Sequence, residues 1–327
     1  MAVVCRLCPK HCVLEHGQSG ECRIRINLGG TLLAVTYGHP VAVHVDPMEK
    51  KPLYHFLPGT PILSLATVGC NLHCKNCQNW EISQADPEAT ASYRLSPSDV
   101  IATAVQASCP SIAYTYTEPL VAYEYTLAMS EAARAAGLRN VLVTAGYCEP
   151  EPLRRLFAVT DAANIDLKAM SDRFYQEICG ATLRPVLAAL ELARSMSVHL
   201  EVTNLLLPGL NDGEREVAAL AVWIREHLGP TTPLHFSRFH PHYRLRDLPP
   251  TPASSLLRAR ELARDAGLHH VYLGNLDAPE GGTTSCPGCG GVLLRRRGFQ
   301  VVLNRLVAGA CPDCGRALEG LWIVAPS

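Results

Sequence analysis

The sequence predicts an α/β protein: a partial, open barrel of parallel strands with a cysteine-rich module at each end. Three observations predict it. Short β-rich runs alternate with longer amphipathic Ala/Leu/Arg-rich runs, which implies crossover connections and a parallel sheet. Six or seven such units can be read, one or two short of an eight-fold barrel. Eleven of the fourteen cysteines fall into three tight sets. A doubly wound open sheet is the competing arrangement, which periodicity does not separate from a barrel.

Residues 1–60 read as a metal-binding extension with a β hairpin. Cys5, Cys8, Cys12 and Cys22 can close around zinc or hold an auxiliary iron–sulfur cluster. Four close thiolates leave no open position, which favours zinc. "TLLAVTYGHPVAVHVDP" then reads as two β runs around a Gly-His-Pro turn.

Residues 61–278 read as the core. Its strands are expected in "ILSLATVG", "SIAYTYT", "NVLVTAGY", "AANIDLKA", "HLEVTNLLLPG", "PLHFSRFHP" and "HHVYLGN". Ser96, Pro97 and Asp99 predict a capping box with proline at the first helical position. Gly137, Gly229 and Gly267 fall where left-handed helix caps belong, and Thr251-Pro252 predicts the start of the last long helix.

After the linker "DAPEGGTT", residues 279–327 carry "CPGC" and "CPDC". Cys286, Cys289, Cys311 and Cys314 form a zinc-ribbon pattern around a predicted hairpin, with a rubredoxin-like single iron as the alternative. Arg295, Arg296 and Arg297 read as a solvated hairpin face, with a phosphate or acidic partner as the other possibility.

Composition narrows the function classes. A chain of 327 residues, 48% hydrophobic, can bury a large core. A net charge of -1 argues against nucleic acid as a partner of the whole protein. The apolar runs stop short of the ~20 residues of a membrane span, and "MAVVCRLCPKHC" offers no signal-peptide core. A cytoplasmic protein is expected, with no membrane partner, and its paired cysteines then read as metal ligands rather than disulfides.

The middle set, Cys70, Cys74 and Cys77 in "CNLHCKNCQNW", follows the first core strand directly. That puts three thiols at the carboxyl end of a parallel sheet, where active sites gather. Three thiolates can hold three irons of a [4Fe–4S] cube and leave the fourth iron open. A zinc site with a remote fourth ligand is the other reading.

This C-x3-C-x2-C motif in a βα-repeat chain resembles the radical S-adenosylmethionine (radical SAM) superfamily. "DPMEKKPLYHFLPG", "IAYTYTEP", "NIDLKA", "LLLPGLND", "SRFHPHY" and the paired terminal cysteines narrow the resemblance to the radical SAM protein of the AmmeMemoRadiSam system. That group is related to the pyruvate formate-lyase-activating enzymes. The resemblance implies a radical SAM barrel of (β/α)6 type, a [4Fe–4S] cluster on Cys70, Cys74 and Cys77, and SAM chelated to the open iron. It implies reductive cleavage of SAM to a 5′-deoxyadenosyl radical that abstracts a hydrogen atom from a substrate. It also suggests SAM contacts from Glu118, Asp166, Lys168 and Asn204. A flavodoxin or ferredoxin-like electron donor and AMMECR1-domain and Memo-like proteins are the partners implied.

One departure stands out. Many superfamily members place an aromatic residue before the third cysteine, whereas this chain has Asn76. A glycyl-radical-enzyme activase, an RNA-modifying enzyme and a non-enzymatic electron carrier are the alternative functions. His240 and His242 read as polar lining or simple structure, and Cys148 and Cys179 as small buried side chains able to face the cavity.

Overall fold

A computed structural model describes residues 1–278 and 280–322; Pro279 and residues 323–327 of the predicted terminal module lie outside the described residues. At the amino end, β1 (Val3–Val4) pairs antiparallel with β2 (Val13–Leu14), and β3 (Arg25–Leu28) forms a hairpin with β4 (Thr31–Ala34). The next strand, β5 (Ala42–Pro47), does not fold back on β4. It pairs antiparallel with β6 (Pro61–Ala66), Val45 opposite Leu63, and so extends the core sheet.

Seven parallel strands follow one another in chain order: β6, β7 (Ser111–Tyr114), β8 (Arg139–Thr144), β9 (Ala162–Asp166), β10 (His199–Leu206), β11 (Leu234–Arg238) and β12 (Val271–Gly274). Each corresponds to one predicted strand. A doubly wound sheet would reverse direction at a switch point. This one winds in a single sense, and β12 does not meet β5, so the barrel stays open.

The helices are α1 (Trp80–Ser83), α2 (Pro97–Gln106), α3 (Tyr123–Ala135), α4 (Pro150–Phe157), α5 (Asp172–Phe174), α6 (Leu183–Ser195), α7 (Glu214–His227) and α8 (Ala253–Asp265). The longer ones bury one stripe each: α6 does so through Val186, Ala189, Leu190 and Ala193, the spacing of a single helical face. Ser96 and Asp99 form the expected reciprocal cap, and Gly137, Gly229 and Gly267 adopt positive φ at helix ends. Thr251 differs from expectation. Pro252 takes the cap position of α8, while the Thr251 hydroxyl donates to the Leu206 carbonyl and accepts from the Phe239 N–H, stitching β10 to β11.

The carboxyl-terminal module is a three-stranded antiparallel sheet of β13 (Thr284–Ser285), β14 (Val292–Arg297) and β15 (Gln300–Asn304). Strand alternation decides the fate of its arginines. Arg295 and Arg297 point outward, whereas Arg296 is buried against Glu49 (3.3 Å) and lies over the Tyr54 ring (4.0 Å). That ion pair fastens the module to the loop after β5.

Candidate active site and metal centres

The loop after β6 carries the three central thiols. Cys70, Cys74 and Cys77 all line one cavity of about 580 Å3 at the carboxyl ends of the parallel strands, within the range of small-molecule sites. The loop is held from several sides. Asn71 donates to the Tyr147 carbonyl (2.7 Å). The N–H groups of His73 and Lys75 donate to the carbonyls of Cys179 and Ile178 (2.8 and 2.9 Å). Those carbonyls belong to a π-helical turn, Tyr175–Cys179, a distortion often found at functional sites. Gly69 adopts a φ of +105°, and a Cβ there would lie 2.7 Å from the Cys22 carbonyl. Only glycine fits this close approach of the amino-terminal module to the loop.

Glu118, Asp166 and Lys168 line the same cavity. Glu118 is buried, and its carboxylate accepts from the Thr144 hydroxyl (2.5 Å), the Ala145 N–H (2.8 Å) and the Leu120 N–H (3.2 Å). Burial nevertheless dominates and raises its pKa. Asp166 ends β9, and Lys168 lies just beyond the strand; the two pair at 2.8 Å. Burial alone would depress Lys168, but Asp166 and the nearby thiols hold it well above the usual lysine range.

Asn204 behaves differently. On β10, Thr203 and Leu205 line the cavity and Asn204 does not, as period-two alternation requires. Its amide donates to the Leu167 and Lys168 carbonyls (2.7 and 3.2 Å), supporting the turn from behind. Asn76, in place of an aromatic, lines the cavity, and its side-chain oxygen is buried with no protein partner. Thr203 Oγ1 is in the same condition. Two unpartnered buried oxygens in a cavity wall fit a site that takes a polar ligand.

The opposite wall was not singled out in the sequence. Lys50, Lys51, Tyr54, Tyr116, His235, Ser237 and the hairpin-tip residue Phe299 contribute to it. Lys51 is 1% exposed, 2.7 Å from Asp46, with its ammonium over the Tyr116 ring at 4.4 Å. Burial pushes Lys51 down to about 8 despite the ion pair. At Asp46, burial is outweighed by hydrogen bonds from Lys50, Lys51 and Tyr116, which hold the carboxyl well below the usual range. Tyr116 has a φ of +65°, a strained conformation of the kind found at functional sites.

The remaining sequence candidates lie elsewhere. His240 and His242 are exposed and outside the cavity lining. Cys148 is buried and donates to the Leu7 carbonyl, and Cys179 is fully buried beside Cys74.

The sulfurs of Cys286, Cys289, Cys311 and Cys314 all lie within 4.8 Å of one another. Cys286–Cys314 and Cys289–Cys311 stand 3.5 and 3.7 Å apart. Tetrahedral ligands 2.3 Å from one ion would be about 3.8 Å apart, so this set fits a single four-coordinate metal. Cys5, Cys8, Cys12 and Cys22 line one small cavity together with Lys10, Arg25 and Asn71.

An open parallel barrel with three loop thiols beside one polar cavity is an arrangement that can hold a cofactor at its strand ends. Residues 64–221 match the radical SAM superfamily. The chain is 44% identical over 319 residues to an uncharacterised protein of Methanocaldococcus jannaschii, covering 97% of this chain and 95% of that one. It is 22% identical over 126 residues to the benzylsuccinate synthase activating enzyme of Thauera aromatica, 38% of each chain. Its fold is similar to that of a radical SAM methyltransferase from Sphaerobacter thermophilus, with a TM-score of 0.51, 15% identity and 67% of each chain covered. Through residues 64–221 the protein belongs to the radical SAM superfamily, which indicates an enzyme of that type and implies a [4Fe–4S] cluster and SAM.

Proposed function

We propose that Cys70, Cys74 and Cys77 hold the [4Fe–4S] cluster, and that SAM and a second substrate share the adjoining cavity. The observation that carries this reading is the convergence of the three thiols, Glu118, the Asp166–Lys168 pair and the unpartnered oxygens of Asn76 and Thr203 on one cavity. When bound, cluster and SAM supply a 5′-deoxyadenosyl radical by one-electron cleavage of the sulfonium bond, and the radical abstracts a hydrogen atom from the substrate. The chain's own residues bind and orient. Glu118 keeps acceptor capacity on a carboxylate already aimed by Thr144 and Ala145, which suits an ammonium. Asp166 and Lys168 offer an acceptor and a donor side by side. Asn76 offers a polar contact where relatives stack a ring.

Anaerobic reconstitution with iron, sulfide, dithionite and SAM tests the reading. The wild type is expected to form 5′-deoxyadenosine, and replacing any one of Cys70, Cys74 or Cys77 by alanine should abolish it. A silent wild type with an intact cluster would overturn the proposal.

The quoted motifs support placement in the AmmeMemoRadiSam group, with a flavodoxin or ferredoxin as electron donor and AMMECR1-domain and Memo-like proteins as partners. We assign zinc to the terminal four-thiolate site and, on its four-ligand set, to the amino-terminal one. In a variant lacking Cys70, Cys74 and Cys77, zinc without iron is expected; iron retained with sulfide would reassign the amino-terminal site.

The likeness to an activating enzyme supports a second reading, a glycyl-radical activase acting on a protein. A partner-dependent glycyl EPR signal would distinguish it. For the RNA reading, Arg296 is sequestered in an ion pair, and of the three hairpin arginines only Arg295 and Arg297 remain exposed; salt-dependent RNA binding lost on removing residues 283–327 would favour it. The electron-carrier reading is not retained, since superfamily membership makes the chain an enzyme.

A further inference from the structure

We propose that His235 is the acid–base group of the cavity, that Glu201 positions it, and that the second substrate therefore brings a hydroxyl, amine or similar proton-bearing group to this wall. The inference rests on reading the cavity as the active site. His235, on β11, is the only histidine among the described residues that line it. Its ring is gripped by Tyr54 edge-on (4.8 Å between centroids) and by Tyr272 stacked (5.1 Å). Nε2 meets Glu201 Oε2 at 2.6 Å. Nδ1 has no hydrogen-bond partner among the described residues.

The strand register explains the placement. His235 is aligned with Thr203, and Glu201 lies two residues earlier on β10, on the same face. Thr203 and Leu205 line the cavity, so Glu201 stands one layer beneath its floor. There the carboxylate is fully buried. Its Oε1 accepts from the His55 N–H (2.7 Å) and meets His199 Nε2 at 3.0 Å. Burial alone would raise Glu201, but His199 and His235 outweigh it and keep the carboxyl well below its usual range. The other groups facing the ring are the Tyr54 and Tyr272 hydroxyphenyls, with Arg296 behind Tyr54.

Burying a carboxylate costs several kcal/mol unless it is matched, and capping one backbone N–H needs only a neutral acceptor. A carboxylate on Nε2 does something a neutral acceptor does less well. It fixes the neutral ring as the Nε2–H tautomer, leaves a lone pair on Nδ1 for the cavity, and balances the imidazolium that forms when Nδ1 takes a proton. In that step the proton leaves a substrate O–H or N–H for Nδ1, and the bonding electron pair stays on the substrate heteroatom. No oxidant or reductant enters.

Two measurements on the reconstituted full chain test this. Treatment with diethyl pyrocarbonate, read residue by residue by mass spectrometry, should modify His235. It should leave His55, which is fully buried and bonded to Tyr272, unmodified. Nitrogen-15 NMR of labelled histidine should show the Nε2–H tautomer at His235. That preference should be lost in Glu201→Leu and restored in Glu201→Gln, which keeps an acceptor oxygen. An unmodified His235, an Nδ1–H tautomer, or a tautomer indifferent to Glu201→Leu would overturn the proposal. If Glu201→Leu does not fold, the labelling of the wild type and of Glu201→Gln decides alone. Neither readout needs SAM cleavage, so failure here leaves the radical chemistry standing, and the reverse.

Discussion

Lys51 places a buried ammonium in the cavity wall, matched chiefly by Asp46. Removing one partner of a buried pair typically costs about 3–5 kcal/mol, because the other charge stays buried. Asp46→Asn should therefore lower the unfolding free energy by about that amount in chemical denaturation, and adding Lys51→Met should recover most of it. The pH dependence follows from the two directions. Asp46 is depressed in the folded protein, so its contribution is present above the unfolded value of about 3.9 and is lost as pH falls through the folded value. Lys51 is depressed from 10.5 to about 8, so between those values the unfolded chain binds more protons and stability should rise with pH. A denaturation series in Asp46→Asn should lack the acid-side loss. Neither residue stood out in the sequence, because "DPMEKKP" reads as a polar, solvated loop until the fold buries it.

At the scale of elements, the loop after β6 depends on its glycine as much as on its cysteines. Gly69→Ala would press a methyl group against Cys22 and Ile24 in a conformation alanine resists. Iron and sulfide per chain should fall sharply, although every thiol of the set remains. Such close approaches lie outside what spacing can show. The seven core strands and the Ser96 cap were legible because their signals are local: apolar runs, proline, glycine, and Ser and Asp three apart. The pairing of β5 with β6 was not, since the run before it has the same β character. Nor was the facing of Asn204, whose phase depends on a register set by β9 and β11. His235 and Glu201 were missed for a related reason. They meet only when two strands 34 residues apart in sequence align.

For the whole molecule, the terminal module is part of the cavity wall. Arg296 docks it, and Phe299 at the hairpin tip reaches the cavity. Arg296→Met would leave Glu49 buried without its counter-charge, at a cost of about 3–5 kcal/mol in unfolding free energy. Stripping the ion from Cys286, Cys289, Cys311 and Cys314 with a chelator should raise amide hydrogen exchange in β14 and β15 and also around residues 52–60. A rise confined to the hairpin would show that docking does not depend on the metal. Among the contacts of the amino-terminal module with the core, one peptide link joins two sulfur-lined pockets: Cys70 lines the cavity, while Asn71 lines the pocket of Cys5, Cys8, Cys12 and Cys22. Neighbouring α-carbons are about 3.8 Å apart. With the proposed cluster in one pocket and the proposed ion in the other, oxygen damage at either would tug on the anchor of its neighbour, and iron and zinc per chain should decline in step during exposure to air.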